Sequence, residues 1–208
     1  MRRLRGTSNN RATGDGEPGQ MTDLMLVAAA QRDIDAFGPI FDRYWEPVFR
    51  FCYYRTGDWH IAEDAASQVF VNALAALNRF HDGGRGDAFQ CWLFTIARNV
   101  VTNAHSYDYR VRQVSLDDST EIPSNEPGPE IVAINTERHD QARSLLLRVT
   151  DEQRELLELR LAGLNCVEIA SVLGRSPGSI RVAQHRAITA LRELTRMESD
   201  SGIEKSHA

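Results

Sequence analysis

Apolar residues recur along this chain with the 3.6-residue period of helices, and no strand-like alternation persists anywhere. Met21 opens a short segment, MTDLMLVAAAQRD, in which Thr22 or Asp23 can cap a helix. From Asp35 to Tyr54 the apolar positions Phe37, Ile40, Phe41, Tyr44, Val48, Phe49, Cys52 and Tyr53 form a wide helical stripe, with a kink predicted at Pro47. Residues 55–58 (RTGD) make a turn whose Asp58 caps a helix over about 59–79, with Ile61, Ala65, Val69, Phe70, Ala73, Leu74 and Leu77 on one side. The Gly-rich loop HDGGRGD (81–87) precedes a helix over about 88–112, whose core stripe is Trp92, Leu93, Ile96, Ala97 and Val100.

The pattern then stops. Residues 113–140 carry seven acids, one Arg and the prolines Pro123, Pro127 and Pro129, for a net charge of −6, which reads as an extended, flexible acidic linker. Helical signals resume with Thr150 and Gln153, the pair of a capping box, and that helix ends at Gly163 with Leu156, Leu157 and Leu159 inward. Asn165 to Glu168 repeats the box for a short helix ending at Gly174. Ser176-Pro177 is a third start, an N-cap followed by Pro at the first helical position. The last helix buries Ile180, Ala183, Ala187, Ala190, Leu191 and Leu194. The expected fold is therefore all-α: two small helical domains, 21–112 and 141–196, joined by the linker, with a disordered leader (1–20) and a short tail (197–208) too small to fold.

Composition narrows the function. The 208 residues carry a net charge of −5, so the chain does not coat nucleic acid by bulk charge. Its longest apolar run, Leu24 to Ala30, falls far short of a membrane span, and the basic N-terminus lacks the apolar stretch of a secretory signal. Cys52, Cys91 and Cys166 lie far apart, which fits a reducing cytoplasm and no disulfide or zinc framework.

Local charge points to DNA. A short helix, a Gly turn and a capped longer helix make a helix-turn-helix pattern. Residues 174–196 have a net charge of +4, against −3 for 150–173. Because the core uses 180, 183, 187, 190, 191 and 194, the side chains of Arg181, Val182, His185 and Arg186 face outward in the first turns, where a recognition helix meets base edges. The loop from Arg79 to Asp87 and the helix start beyond it combine cations with aromatic rings, the composition of a single-strand site. Nothing suggests catalysis. His60 with Glu63, or His81 with Asp82 and Asp87, is not followed by a third ligand, and no HExxH, phosphate-binding loop or GxSxG occurs. No catalytic residue, metal or cofactor is expected.

At this point the sequence resembles the extracytoplasmic-function sigma factors of bacterial RNA polymerase. The resemblance rests on AFGPIFDRYWEPVFRFCYYRTGDWHIAEDAASQVFVNAL with RF…GDAFQCWLFTIARNVV, similar to sigma region 2, and on DEQRELLELRLAGLNCVEIASVLGRSPGSIRVAQHRAITALREL, similar to sigma region 4. It implies that Glu63, Asp64, Gln68 and Asn72 dock the clamp helices of the largest polymerase subunit, although Ser67-Gln68 stands where relatives usually have Gln-Glu. It implies that Arg79, Phe80, His81, Arg85, Phe89, Gln90, Arg98 and Asn99 engage the minus-10 element, with Trp92 in the core. It further implies that Arg175, Ser176, Ser179, Arg181, Val182, His185 and Arg186 read the minus-35 duplex. The implied partners are core polymerase (clamp helices and flap), promoter DNA and an anti-sigma protein holding the idle factor shut, with no membrane. The linker would pass near the active-site cleft and RNA exit channel. The alternative is a free-standing helix-turn-helix regulator, which would account for 140–196 and leave the first half idle.

Overall fold

Capping chemistry sets most of the helix boundaries. The structure, a computed structural model, describes residues 21–84, 86–112 and 139–204, with side chains described over 21–84, 86–102 and 139–196. All regular structure among these residues is helical. Helix α1 (Asp23–Arg32) is capped by Thr22, whose Oγ1 accepts from the Met25 amide. Asp23 instead ties α1 to the next helix, accepting from Arg43 at 2.5 Å and from the Tyr44 hydroxyl. A 3-10 turn (Ile34–Phe37) leads into α2 (Gly38–Thr56), which runs through Pro47 and stops at Gly57, whose φ of 73° is the left-handed conformation that favours glycine. Asp58 caps α3 (Trp59–Ala76), accepting from the Ile61 amide at 2.9 Å. A second 3-10 turn (Leu77–Arg79) and the Gly-rich loop follow, then α4 (Ala88–Arg112).

Helix α3 is rotated from the expected stripe. Its core face is Ala62, Ala65, Ala66, Val69, Phe70 and Ala73, whereas Ile61 and Leu74 are 36% and 37% exposed. The alanines allow α2 to approach closely, which turns the bulkier side chains outward. The core of this domain centres on Phe51, Phe89, Leu93 and Phe94, with the Phe51 and Phe94 rings edge-on at 5.9 Å.

The second half contains a helix the sequence analysis did not anticipate. α5 covers residues 139–146, so His139 and Asp140, placed in the linker, are helical. α6 (Asp151–Leu161) and α7 (Cys166–Leu173) each open with a complete capping box, Thr150 with Gln153 and Asn165 with Glu168. α7 ends at Gly174 (φ 64°), and Ser176 caps α8 by accepting from the Ser179 amide at 3.2 Å. α8 (Pro177–Glu204) continues beyond the expected limit at 196 into the tail. The leader, Arg85 and residues 113–138 of the linker lie outside the described residues.

The two helical domains pack against each other. α6 packs on α2 and α7 lies along α4. A single buried cluster runs from Leu26 through Phe94 to Ile169 and Ala187.

Candidate nucleic-acid interface

The C-terminal face is built by the caps. Gly174 reverses the chain after α7, and Ser176 with Pro177 fixes the start of α8. Ile180 and Ala187 are fully buried, which aims Arg181, Val182, His185 and Arg186 into solvent; Val182 is 53% exposed. A cavity of about 400 Å³ lies between the N-termini of α6 and α8, lined by Thr150, Gln153, Ser179, Val182 and Arg186 among others. Arg175 also lines it, ion-paired with Glu152. The sequence identifies Thr150 and Gln153 as caps; their place beside the outward face of α8 arises from packing.

The N-terminal loop forms a second concavity, of about 410 Å³, lined by Arg79, Phe80, His81, Asp82, Ala88, Cys91, Trp92, Thr95 and, from α7, Ser171. Gln31 secures its base, donating to the carbonyls of Leu77 and Phe80 at 2.9 and 3.1 Å. Gly83 and Gly84 both have positive φ. His81 is exposed, its Nδ1 2.8 Å from the Arg79 carbonyl. The aromatic roles differ from expectation. Phe89 is fully buried and Phe80 is 7% exposed, packed edge-on at 5.5 Å, so here they are core residues that support the loop. Trp92, expected in the core, is half-buried and lines the cavity, 5.1 Å from the Phe80 ring. Sequence alone could not sort these three rings, since Phe89 and Trp92 fall near one face of α4 and Phe80 lies in the extended segment before the loop. Gln90 is half-buried, Asn99 is exposed, and Arg98 donates to Glu155 of α6 at 2.7 Å.

The third candidate surface is the outer face of α3. Glu63, Asp64, Gln68 and Asn72 are all exposed there, and Gln68 donates to Asn72 at 2.9 Å. Val71, 59% exposed, adds an apolar element between them.

Ionisable groups with displaced pKa values concentrate where the halves meet. Burial pushes the carboxyl of Glu158 above the ordinary range, offset in part by Arg55 at 2.9 Å. Burial, then the hydrogen bond to Asp140, pushes the Tyr53 phenol up to about 12. Burial lowers His139, whose Nδ1 meets the Tyr54 hydroxyl at 3.0 Å. Cys52 is pushed up to about 12 by burial, which makes it an inert core thiol. Among the described residues no group of His, Cys, Asp and Glu could hold a metal, and no helix is long and apolar enough to cross a membrane.

Comparison with known proteins places these surfaces in context. The family model of sigma-70 region 2 matches residues 40–110, and that of sigma-70 region 4 matches 139–191. The chain is 34% identical over 188 residues to the ECF RNA polymerase sigma factor BldN of Streptomyces coelicolor, covering 89% of this chain and 70% of that one. It is 32% identical to the ECF sigma factor SigD of Mycobacterium tuberculosis over 84% of each chain. The fold matches the solved structure of CnrH in complex with the cytosolic domain of CnrY, with a TM-score of 0.63 at 21% identity over 84% of this chain and 97% of that one. It also matches RpoE of Bartonella quintana in complex with the anti-sigma factor NepR, with a TM-score of 0.57 at 21% identity over 77% of this chain and 96% of that one.

Proposed function

The chain belongs to the extracytoplasmic-function sigma factors and directs promoter-specific initiation by RNA polymerase; from that premise we propose how its three surfaces divide the work. The outward face of α8 reads the minus-35 duplex. Arg181 and Arg186 have the fork geometry for guanine, and Val182 can touch a thymine methyl. Arg175, Ser176 and Ser179, around the α8 N-terminus, meet phosphates. The loop cavity takes an extruded minus-10 base, with Trp92 as the stacking ring and Arg79, His81, Gln90, Arg98 and Asn99 around it. The α3 face, Glu63, Asp64, Gln68 and Asn72, docks the clamp helices of the polymerase. The protein acts in the cytoplasm and without catalysis of its own, and an anti-sigma protein is its negative regulator.

One observation carries this reading: the same chain presents an outward cationic recognition face over a capped helix-turn-helix and, in its other half, an aromatic-lined polar cavity beside a loop of positive-φ glycines. Run-off transcription tests it. Core polymerase with this protein is expected to initiate at promoters that core alone ignores, and variants of the α8 face should lose minus-35 preference while keeping core binding. Tight, sequence-specific duplex binding by the protein alone, with no effect on core polymerase, would favour a free-standing regulator instead.

A further inference from the structure

Helix α6 carries the acids Asp151, Glu152, Glu155 and Glu158, and the structure gives each a cation. Asp151 pairs with Arg154 of its own helix at 3.3 Å, Glu155 with Arg98 at 2.7 Å and Glu158 with Arg55 at 2.9 Å. Glu152 turns the other way, across the helix-turn-helix, and accepts from Arg175, the residue just before the α8 cap. Both residues line the cavity of about 400 Å³ between the N-termini of α6 and α8, together with Ser179, Val182 and Arg186. Two helix N-termini and the guanidiniums of Arg175 and Arg186 make this recess one that attracts phosphate, and Glu152 is a carboxylate set within it. The ion pair is open to water, with Glu152 exposed and Arg175 half-buried, so it contributes little to the stability of the fold.

We propose that Glu152 sets the affinity of the minus-35 face for duplex DNA, by holding the Arg175 guanidinium that a backbone phosphate would otherwise take. The inference rests on the minus-35 assignment made above. Its physical logic is a division between affinity and readout. Phosphate contacts add affinity at every site and carry no sequence information, whereas Arg181, Val182, His185 and Arg186 face the base edges. A carboxylate that cancels one phosphate contact therefore weakens all duplexes together and leaves the base-edge contacts a larger share of what remains. The lower common affinity keeps less of the polymerase on unrelated sequence, which genomic DNA offers in vast excess. Glu152 is thus a positioning residue for Arg175, and its effect passes through that side chain.

The test uses core polymerase assembled with the full chain, unmodified and as Glu152→Gln, Asp151→Asn, Arg175→Ala and Glu152→Gln/Arg175→Ala variants. Fluorescence anisotropy across a salt series reads binding of a promoter duplex that the unmodified assembly transcribes, and of a random-sequence duplex of equal length. Circular dichroism checks that each variant keeps its helices. Glu152→Gln is expected to tighten both duplexes by a similar factor, about fivefold, and to steepen the salt dependence by about one phosphate contact. Most of that gain should vanish on the Arg175→Ala background. Asp151→Asn, which removes the neighbouring charge but leaves the Glu152–Arg175 pair intact, should change binding much less. Unchanged binding in Glu152→Gln would overturn the proposal. So would a gain that persists in full without Arg175, or one that Asp151→Asn reproduces, since either would be an effect of bulk charge. In those cases a loss of promoter preference in Arg181→Ala leaves the minus-35 assignment standing; an Arg181, His185 and Arg186 triple Ala variant that kept the preference would remove that assignment as well.

Discussion

The guanidinium of Arg143, on α5, fills the space that a β-carbon on Gly57 would need, at the end of α2. Gly57 is thus required twice, for its φ of 73° and as the seat of a side chain that joins the two halves. Gly57→Ala should cost roughly 1–2 kcal/mol from left-handed backbone strain alone, and more because Arg143 must leave. On an Arg143→Ala background, Gly57→Ala should cost only the strain, so the two effects should be markedly less than additive in denaturant melts. Strict additivity would mean that the contact carries no energy.

Glu158 has a fully buried side chain, and its Oε1 has no hydrogen-bond partner while Oε2 meets Arg55. Glu158→Ala should destabilise the chain by about 3 kcal/mol, the low end for breaking a buried pair, because Glu155 remains near Arg55. Glu158→Gln, which keeps the shape and removes the charge, should cost much less. The raised carboxyl also has a pH signature. Protonation favours the fold, so this contribution is present in acid and is lost as pH rises through the displaced value. Thermal melts across the acid range should show that loss in the parent chain and not in Glu158→Gln.

His139 acts in the opposite sense. Its pKa is lowered, first by burial, with Arg50 adding to the effect and Glu46 and Asp140 opposing it. Burial favours the neutral ring, which meets the Tyr54 hydroxyl, so docking of α5 should weaken as pH falls below about 6.5, the ordinary histidine value. Hydrogen exchange of the α5 amides should accelerate there, and His139→Gln should abolish the dependence.

On the recognition helix, Arg181→Ala is expected to cost ~1–3 kcal/mol of discrimination at one base pair of the minus-35 element. Arg175→Ala should weaken all duplex sites alike, and only modestly, because Glu152 already holds that guanidinium. A variant with Arg181, His185 and Arg186 all replaced by Ala that kept its minus-35 preference would refute the assignment. These effects are read by competition binding of the assembled polymerase.

What the sequence determined by itself is the set of local decisions. Caps at Asp58, Thr150, Asn165 and Ser176 and the stop at Gly174 form as expected, and of the two candidates Thr22 and Asp23 it is Thr22 that caps α1, since each is settled between residues a few positions apart. The outward set on α8 was legible for the same reason: helical spacing alone separates 181, 182, 185 and 186 from the buried 180 and 187. Tertiary structure decided the rest. It set which of Phe80, Phe89 and Trp92 faces the cavity, and it turned α3 to bury Ala62 and Ala66 in place of Ile61 and Leu74. It also recruited the α5 residues His139, Asp140 and Arg143 onto α2, and paired Arg98 with Glu155. A charge pattern reports that a side chain needs a partner or water. Only the approach of α6 and α7 to the first domain determines that an acid dozens of residues away, and not DNA, holds Arg98 in the chain alone.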